Sequence, residues 1–412
     1  MSSEPIEEKI GLNKVDIAEI SPYYFRPIKR DKKRINIILP SLNPEHVFGG
    51  IATALKFYET VAAKWGYDKR IIVVDALPSA VAMSIYDEEY TFVNACDDIE
   101  DAAQIVSYSG RSAYGIPVSQ RDYFIFTGWW TAHCAQEAFA FWEKETGIRP
   151  NPFIYFIQDY EPGFYAWSSR YLLADATYKS KYKQIAIFNT KLLQEYFHNN
   201  QYSFYQEYAF EPVLNEQLKV KLYQLSSSVM KKKQILIYGR PSTDRNAFLL
   251  ILEALKRWVH LQNEAREWRL LSVGEIHEPI ALSNEVTLES AGKLSLDEYA
   301  AVLKESYAGI SLMVSPHPSY PPLEMSVFGV KVITNTFANK DLQTFNDNIV
   351  SLSMASPDNI AQNLEQICNQ YTPSVAHSIT NQDYCERDDI WGFIGDIKNV
   401  LDNDEVVESE EE

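Results

Sequence analysis

Three stretches of the sequence combine residue types that can handle phosphates and sugars. Arg240 ends an apolar run, ILIYGR, and Arg245 follows five residues later in RPSTDRNAF. Guanidinium groups stay charged at any relevant pH, and their planar forks match phosphate oxygens, so two at one strand end suit a diphosphate. A surface pair, one member bonded to Asp244, is the plainer alternative. In FIYFIQDYEPGFYAWSSRY, residues 153 to 171, Asp159 and Glu161 leave an apolar strand among Tyr160, Phe164, Tyr165 and Trp167. Carboxylates accept from sugar hydroxyls while aromatic faces stack on sugar C–H groups. A metal-binding acid pair, and a helix cap above a core cluster, remain open for the same residues. In SPHPSYPPLEMSVFGVKVITN, residues 315 to 335, four prolines precede a single acid, Glu324.

The prolines fix where a helix starts. Tyr320, ahead of Pro321, is biased to extended backbone, and a proline in the first helical turn gives up an N–H that would be unpaired anyway. The spacing predicts a short helix from Pro321 or Pro322 to Gly329, with Glu324 in its first or second turn. The helix macrodipole alone favours an acid there; the functional alternative is a carboxylate accepting from the sugar hydroxyls of a bound nucleotide. Gly49 and Gly50 follow the strand INIILP and open the helical stretch GIATALKFYETVAAKWG. Paired glycines let a ligand approach the backbone, and the helix start offers free N–H groups, although such pairs are equally common as tight turns. His133, in TGWWTAHCAQ, stands about one helical turn beyond another strand and is a weaker candidate for acceptor binding.

The elements that must carry these residues alternate in type. Short β-branched or aromatic runs at 35–40, 70–76, 122–128, 153–159 and 184–190 are each followed by helical periodicity, and a second series covers 234–240, 268–275, 308–315 and 330–335, with an edge strand at 285–290. Alternation of this kind builds parallel sheets with helices on both faces. The expected fold is α/β, two Rossmann-like doubly wound domains facing a central cleft, where ligands meet the carboxyl ends of the strands. Residues 1–215 form the first domain, with 1–34 as an irregular basic lead-in, and 216–389 form the second. A polar, irregular stretch near 211–233 joins them. Residues 390–401 form a last helix, and 402–412 a disordered acidic tail.

Composition narrows the class. The 412 residues include 46% hydrophobic and 23% charged, as in a soluble globular chain. No apolar run reaches a membrane span and no signal peptide opens the sequence, which places the chain in the cytoplasm. The net charge of −18 argues against nucleic acid. Cys96, Cys134, Cys368 and Cys385 are scattered without a CxxC pair, so neither a disulfide framework nor a zinc site is expected. FRPIKRDKKR, residues 25 to 34, runs against the acidic trend; it is a solvated lead-in or a contact for anionic lipid headgroups.

The combined pattern resembles the retaining GT-B glycosyltransferases of family four: glycines after the first strand, an Arg pair five apart opening the second domain, and Glu324 before an apolar helix and VKVIT. It is similar more closely to the bacterial rhamnosyltransferases of surface-glycan assembly, in which QDYEP, FYxWSSRY and HPSYPPLEM recur. The resemblance covers roughly residues 35 to 400. It implies a dTDP-β-L-rhamnose donor held mainly by the second domain through Gly49, Gly50, Gly239, Arg240, Arg245, Gly274, Lys293, Tyr320, Leu323 and Glu324. It also implies a lipid-linked rhamnan acceptor near Asp159, Tyr160, Glu161, Trp167 and His133, with Asp159, Glu161, Arg240 and Arg245 as the catalytic set. No metal and no cofactor are implied, and a homodimer or a peripheral membrane contact is compatible. Three positions depart from the family pattern. Pro316 stands where the first acid of a paired-glutamate motif belongs, with His317 the nearest polar side chain. Gln158 and Asp159 replace a His-Asp pair, and Tyr320, Pro321 and Pro322 replace a glycine-rich loop. A sugar-nucleotide epimerase of the same architecture and a non-catalytic glycan- or nucleotide-binding protein are the rival expectations.

Overall fold

A computed structural model describes residues 17–411, apart from 48, 98, 112, 113, 227 and 377–380. Two sheets dominate it. The first has eight strands, in spatial order Gln206–Phe210, Gln184–Asn189, Phe153–Ile157, Asp122–Phe126, Arg34–Leu39, Asp68–Val73, Ala103–Ser107 and Thr91–Asn94. Every pairing in it is parallel. All six residues of Arg34–Leu39 and all five of Phe153–Ile157 are buried, because helices cover both faces. That is why these strands read as unbroken apolar runs rather than alternating ones. One face packs a cluster around Phe126, Phe139 and Tyr155, the other a cluster around Phe57, Ile125 and Phe156.

The second sheet has seven strands, in spatial order Ile280–Ala281, Thr287–Gly292, Arg269–Gly274, Lys232–Gly239, Ser306–Ile310, Lys331–Asn335 and Ile349–Leu352. Only its outermost pair is antiparallel. The strand expected at the edge, near 285–290, is therefore an inner one, flanked by a two-residue strand too short to leave a sequence signal. The stretch near 211–233, expected to be irregular, holds the helix Glu216–Tyr223, which buries Leu218 and Leu222 against the second sheet. Helices Phe248–Leu261 and Pro357–Asn369 pack side by side on one face, around Trp258, Ile251 and Leu364.

The last helix, Ile394–Glu411, returns to the first sheet, where Ile394, Ile397 and Leu401 join the buried cluster and the Trp65 indole donates to the Ile394 carbonyl at 3.2 Å. It runs on through most of the tail expected to be disordered. Two of its acids have partners: Lys33 binds Asp402 at 2.9 Å, and Lys183 binds Asp404. Residues 1–16 of the basic lead-in and Glu412 lie outside the described residues. Within the basic run, Arg30 pairs with Asp68, and Arg34 is buried against Asp122 at 2.6 Å. Arg70 and Arg34 beside it hold the buried Asp122 carboxyl down at about 2 despite desolvation. Half of the expected headgroup-binding charge is thus spent inside the fold, and Lys29 and Lys32 are its exposed members.

Candidate functional site

The cleft lies where carboxyl ends of the two sheets meet. Lys232–Gly239, a central strand of the second sheet, delivers Arg240, and the short turn Asp244–Asn246 after it delivers Arg245. Phe153–Ile157 of the first sheet delivers Gln158, Asp159 and Glu161. Arg245 reaches across, its Nε 3.8 Å from Asp159 Oδ2 and its guanidinium 4.1 Å from the Phe164 ring centre. Burial lowers the Arg245 pKa, partly offset by Asp159, yet guanidinium remains charged. Tyr238 lies near enough to Arg240, Glu324 and Arg245 to feel the charge of each.

Two further contacts bridge the halves. Ser315 donates its hydroxyl to Asp159, and Asn189 donates to the Tyr320 hydroxyl at 2.8 Å. Asn189 also donates to Gln158 at 3.2 Å, and Gln158 in turn donates to the Gly50 carbonyl at 3.2 Å. Gly50 and Tyr320, at opposite ends of the sequence, therefore belong to one network. A Cβ on Gly50 would sit 3.4 Å from the Gln158 side chain, whereas Gly49 has φ +52° and open space around it. A backbone at that φ favours glycine, and it leads into the helix Gly50–Trp65 with its N–H groups uncovered.

Glu161 is buried, and its carboxylate accepts from the Trp129 backbone N–H, the first residue of the helix Trp129–Thr146. Desolvation pushes its pKa up to about 8, opposed by that hydrogen bond and aided by the charge of Asp159. Glu324 lies in the first turn of Pro321–Val327, as the proline spacing predicts. Burial raises it to about 7, with the nearby Tyr299 hydroxyl acting against the shift.

Of the other expected site residues, some are committed to packing and some are exposed. The Tyr160 hydroxyl bonds Tyr171 and Tyr202, and its ring sits among Tyr178, Tyr196 and Phe197. The side chain of Leu323 is in the core, which leaves only its backbone for a ligand. Gly239 is required by the sheet itself: a Cβ there would fall 2.2 Å from Ser272 Oγ and 2.8 Å from Phe248. Gly274 has φ +121° beside the Gly239 carbonyl. Lys293 follows Thr287–Gly292 and is exposed. His133 pairs with Glu137 at 3.5 Å along its own helix. Trp167 is 97% exposed and stacks on Tyr171 at 6.2 Å.

Sequence reasoning missed Ser315, Asn189 and Tyr299. Asn189 had a signal, since it ends the apolar strand QIAIFN; the two hydroxyls had none. It also missed a cavity of about 610 Å³ beyond the strands Asp68–Val73 and Ala103–Ser107, lined by Glu19, Tyr24, Asp75 and Arg111. Arg111 and the Trp130 indole both donate to Asp75 at 2.9 Å, and Trp130 is the neighbour of the residue that holds Glu161.

Comparison with known proteins agrees with this geometry. The N-terminal domain of the WsaF family matches residues 34–191 and its C-terminal domain matches residues 233–365, together more than half of the chain. The O-antigen biosynthesis protein RfbC of Myxococcus xanthus is 27% identical over 323 residues; the match takes in 77% of this chain but only 23% of that relative's length. Among solved structures, WaaG, a glycosyltransferase involved in lipopolysaccharide biosynthesis, superimposes with a TM-score of 0.55 at 13% identity, covering 89% of this chain and 99% of that one. A trehalose-6-phosphate structure from E. coli bound with UDP-2-fluoro glucose gives 0.52 at 11% identity, over 90% and 99%. With both domains of the family matched in order and the two-sheet architecture shared, the chain belongs to the WsaF family and has the two-domain GT-B fold of the solved glycosyltransferase it superimposes on.

Proposed function

We propose that the protein transfers L-rhamnose from dTDP-β-L-rhamnose to a growing rhamnan chain of a surface glycan, with retention at the anomeric carbon and without a metal. The observation that supports this most is the pair Arg240 and Arg245 at the carboxyl end of the second sheet, with Arg245 already facing a carboxylate of the other domain at 3.8 Å. A donor diphosphate would replace Asp159 as the partner of Arg245. As the bond from the sugar C1 to the phosphate oxygen breaks, negative charge grows on the leaving diphosphate, and fixed guanidinium groups stabilise it without reorganisation. This supplies by protein charge what a metal ion supplies elsewhere. Retention and the rhamnosyl donor rest on the family resemblance of QDYEP, FYxWSSRY and HPSYPPLEM.

The partly exposed Glu324 carboxylate would accept from the pentose of the nucleotide, for which a deoxyribose offers its 3′-hydroxyl. Asp159 and Glu161 would orient the acceptor hydroxyl, with Glu161 protonated at neutral pH and so able to donate as well as accept. The attacking hydroxyl forms the new bond to C1, and its proton goes to the departing phosphate oxygen. The acceptor glycan would run from Glu161 into the cavity beside Trp130, whose volume lies in the range of small-molecule sites. The aromatic face of Tyr24, which lines the cavity, together with the Asp75 carboxylate is carbohydrate-binding chemistry. If the acceptor is lipid-linked, the exposed Lys29 and Lys32 would meet headgroups.

The test is a transfer assay with dTDP-β-L-rhamnose, UDP-glucose and GDP-mannose, each with and without a rhamnan oligosaccharide and with EDTA. Acceptor-dependent, EDTA-insensitive release of dTDP is expected. Interconversion of donor epimers without an acceptor would favour the epimerase instead. Binding without turnover would favour a non-catalytic role.

A further inference from the structure

His317 occupies an unusual position in the loop between the strand Ser306–Ile310 and the helix Pro321–Val327. It is 6% exposed, and its backbone N–H donates to Ser315 Oγ, the same hydroxyl that binds Asp159 across the cleft. Its Nδ1 accepts from the Ser319 backbone N–H at 3.0 Å. That bond fixes the tautomer, because a nitrogen that accepts carries no proton, so the proton of the neutral ring is on Nε2. The loop is shaped around this bond: Ser319 has φ +68°, a left-handed conformation that a serine adopts at a cost. Burial together with the charges of Lys340 and Arg245 lowers the His317 pKa to about 4, against the opposing pull of Asp159, so the neutral ring persists through the physiological range.

Nε2–H is thus a donor, and it has no partner among the described residues. A buried donor left unpaired is unfavourable unless something else accepts from it. The ring lies edge-on to Tyr320 at 5.5 Å, between the two interdomain contacts Ser315–Asp159 and Tyr320–Asn189. The transferred sugar of a two-domain transferase must sit at this seam, since the second domain holds its nucleotide and the first its acceptor. The diphosphate already has two guanidinium groups; a single neutral N–H suits a hydroxyl.

We propose that His317 is a donor-sugar contact whose Nε2–H is donated to a hydroxyl of the transferred hexose, formed when the Ser315–Asp159 and Tyr320–Asn189 contacts part to admit the donor. The assignment rests on the donor reading above. It makes His317 a specificity determinant for a hexose with an oxygen at that position, and it gives a function to the loop in which Pro316 replaces the expected acid.

Two substitutions separate this role from a structural one. His317→Gln places an amide N–H near the Nε2 position but loses the Nδ1 bond, whereas His317→Asn keeps an acceptor for Ser319 and loses the Nε2–H. Calorimetric titration with dTDP and with dTDP-β-L-rhamnose gives, for each protein, the preference for the sugar-bearing ligand. The expected result is wild-type preference in His317→Gln and a roughly five- to tenfold loss in His317→Asn, the size of one neutral hydrogen bond, with dTDP affinity unchanged in both. Wild-type preference in His317→Asn would overturn the proposal, as would an equal loss in both variants. A wild-type protein that binds neither ligand would remove the donor reading itself, and the His317 assignment with it.

Discussion

Glu161→Gln should stabilise the protein above neutral pH while removing the carboxyl proposed to orient the acceptor. Glu161 is buried, and its pKa is raised from 4.5 to about 8, chiefly by desolvation. The folded state therefore binds this proton more tightly than the unfolded chain does. The associated stability is fully present below pH 4.5, is lost as pH rises towards 8, and is constant above that. At about 1.4 kcal/mol per pKa unit the ceiling is roughly 4 to 5 kcal/mol, and relaxation around the carboxylate reduces what is observed to about 2 to 4 kcal/mol. Glutamine keeps an oxygen for the Trp129 N–H and carries no charge at any pH. Thermal unfolding of both proteins from pH 4 to pH 9 should give matching Tm values at the acid end. A gap should open between pH 5 and 8 and reach several degrees, at ~2 °C per kcal/mol. Arg245→Ala should widen the gap, since Arg245 opposes the shift. Parallel Tm curves at all pH values, or a variant less stable at pH 8.5, would refute the reasoning.

If Glu324 holds the nucleotide pentose as proposed, its raised pKa, about 7, should link nucleotide binding to pH. A pentose hydroxyl donated to Glu324 favours the carboxylate, so dTDP affinity should fall by up to about tenfold per unit as pH drops below 7, with proton release in calorimetry. A flat profile in wild type, identical to that of Glu324→Gln, would remove this role. Tyr24→Ala should raise KM for a rhamnan oligosaccharide by roughly tenfold with little change in donor affinity, the size expected for one stacking face; an unchanged acceptor KM would exclude the cavity beside Asp75.

Much of the fold was legible because its strands are buried on both faces and its helices are amphipathic. INIILP, FIYFIQD and QILIYGR each coincide with a central parallel strand to within two residues or so, and the prolines fix the helix at 321 to 327. The strands Ala103–Ser107 and Gln206–Phe210 were missed, since one carries Gln104 and the other is half-buried at the sheet edge. The tail reads as disordered because nothing local shows that Asp402 and Asp404 find partners in Lys33 and Lys183, 369 and 221 residues away in sequence. At the site, strand ends pointed to Arg240, Asp159 and Glu161, since Arg240 directly follows one strand and the two acids lie within a few residues of the end of another. Contacts made only when the two domains meet, such as Ser315 with Asp159, leave no local pattern. Nor does the sequence show that the Tyr160 hydroxyl is consumed by Tyr171 and Tyr202.

The central claim is that Arg240 and Arg245 hold the donor diphosphate, and the affinity ratio of dTDP to thymidine tests it most directly. Thymidine lacks the diphosphate, so the ratio isolates that group from the pentose and base. Each of Arg240→Ala and Arg245→Ala should lower the ratio by about 10- to 100-fold, the size of a charge-assisted hydrogen bond of roughly 1.5 to 3 kcal/mol, while leaving thymidine affinity unchanged. A ratio unaltered in both variants would contradict the account.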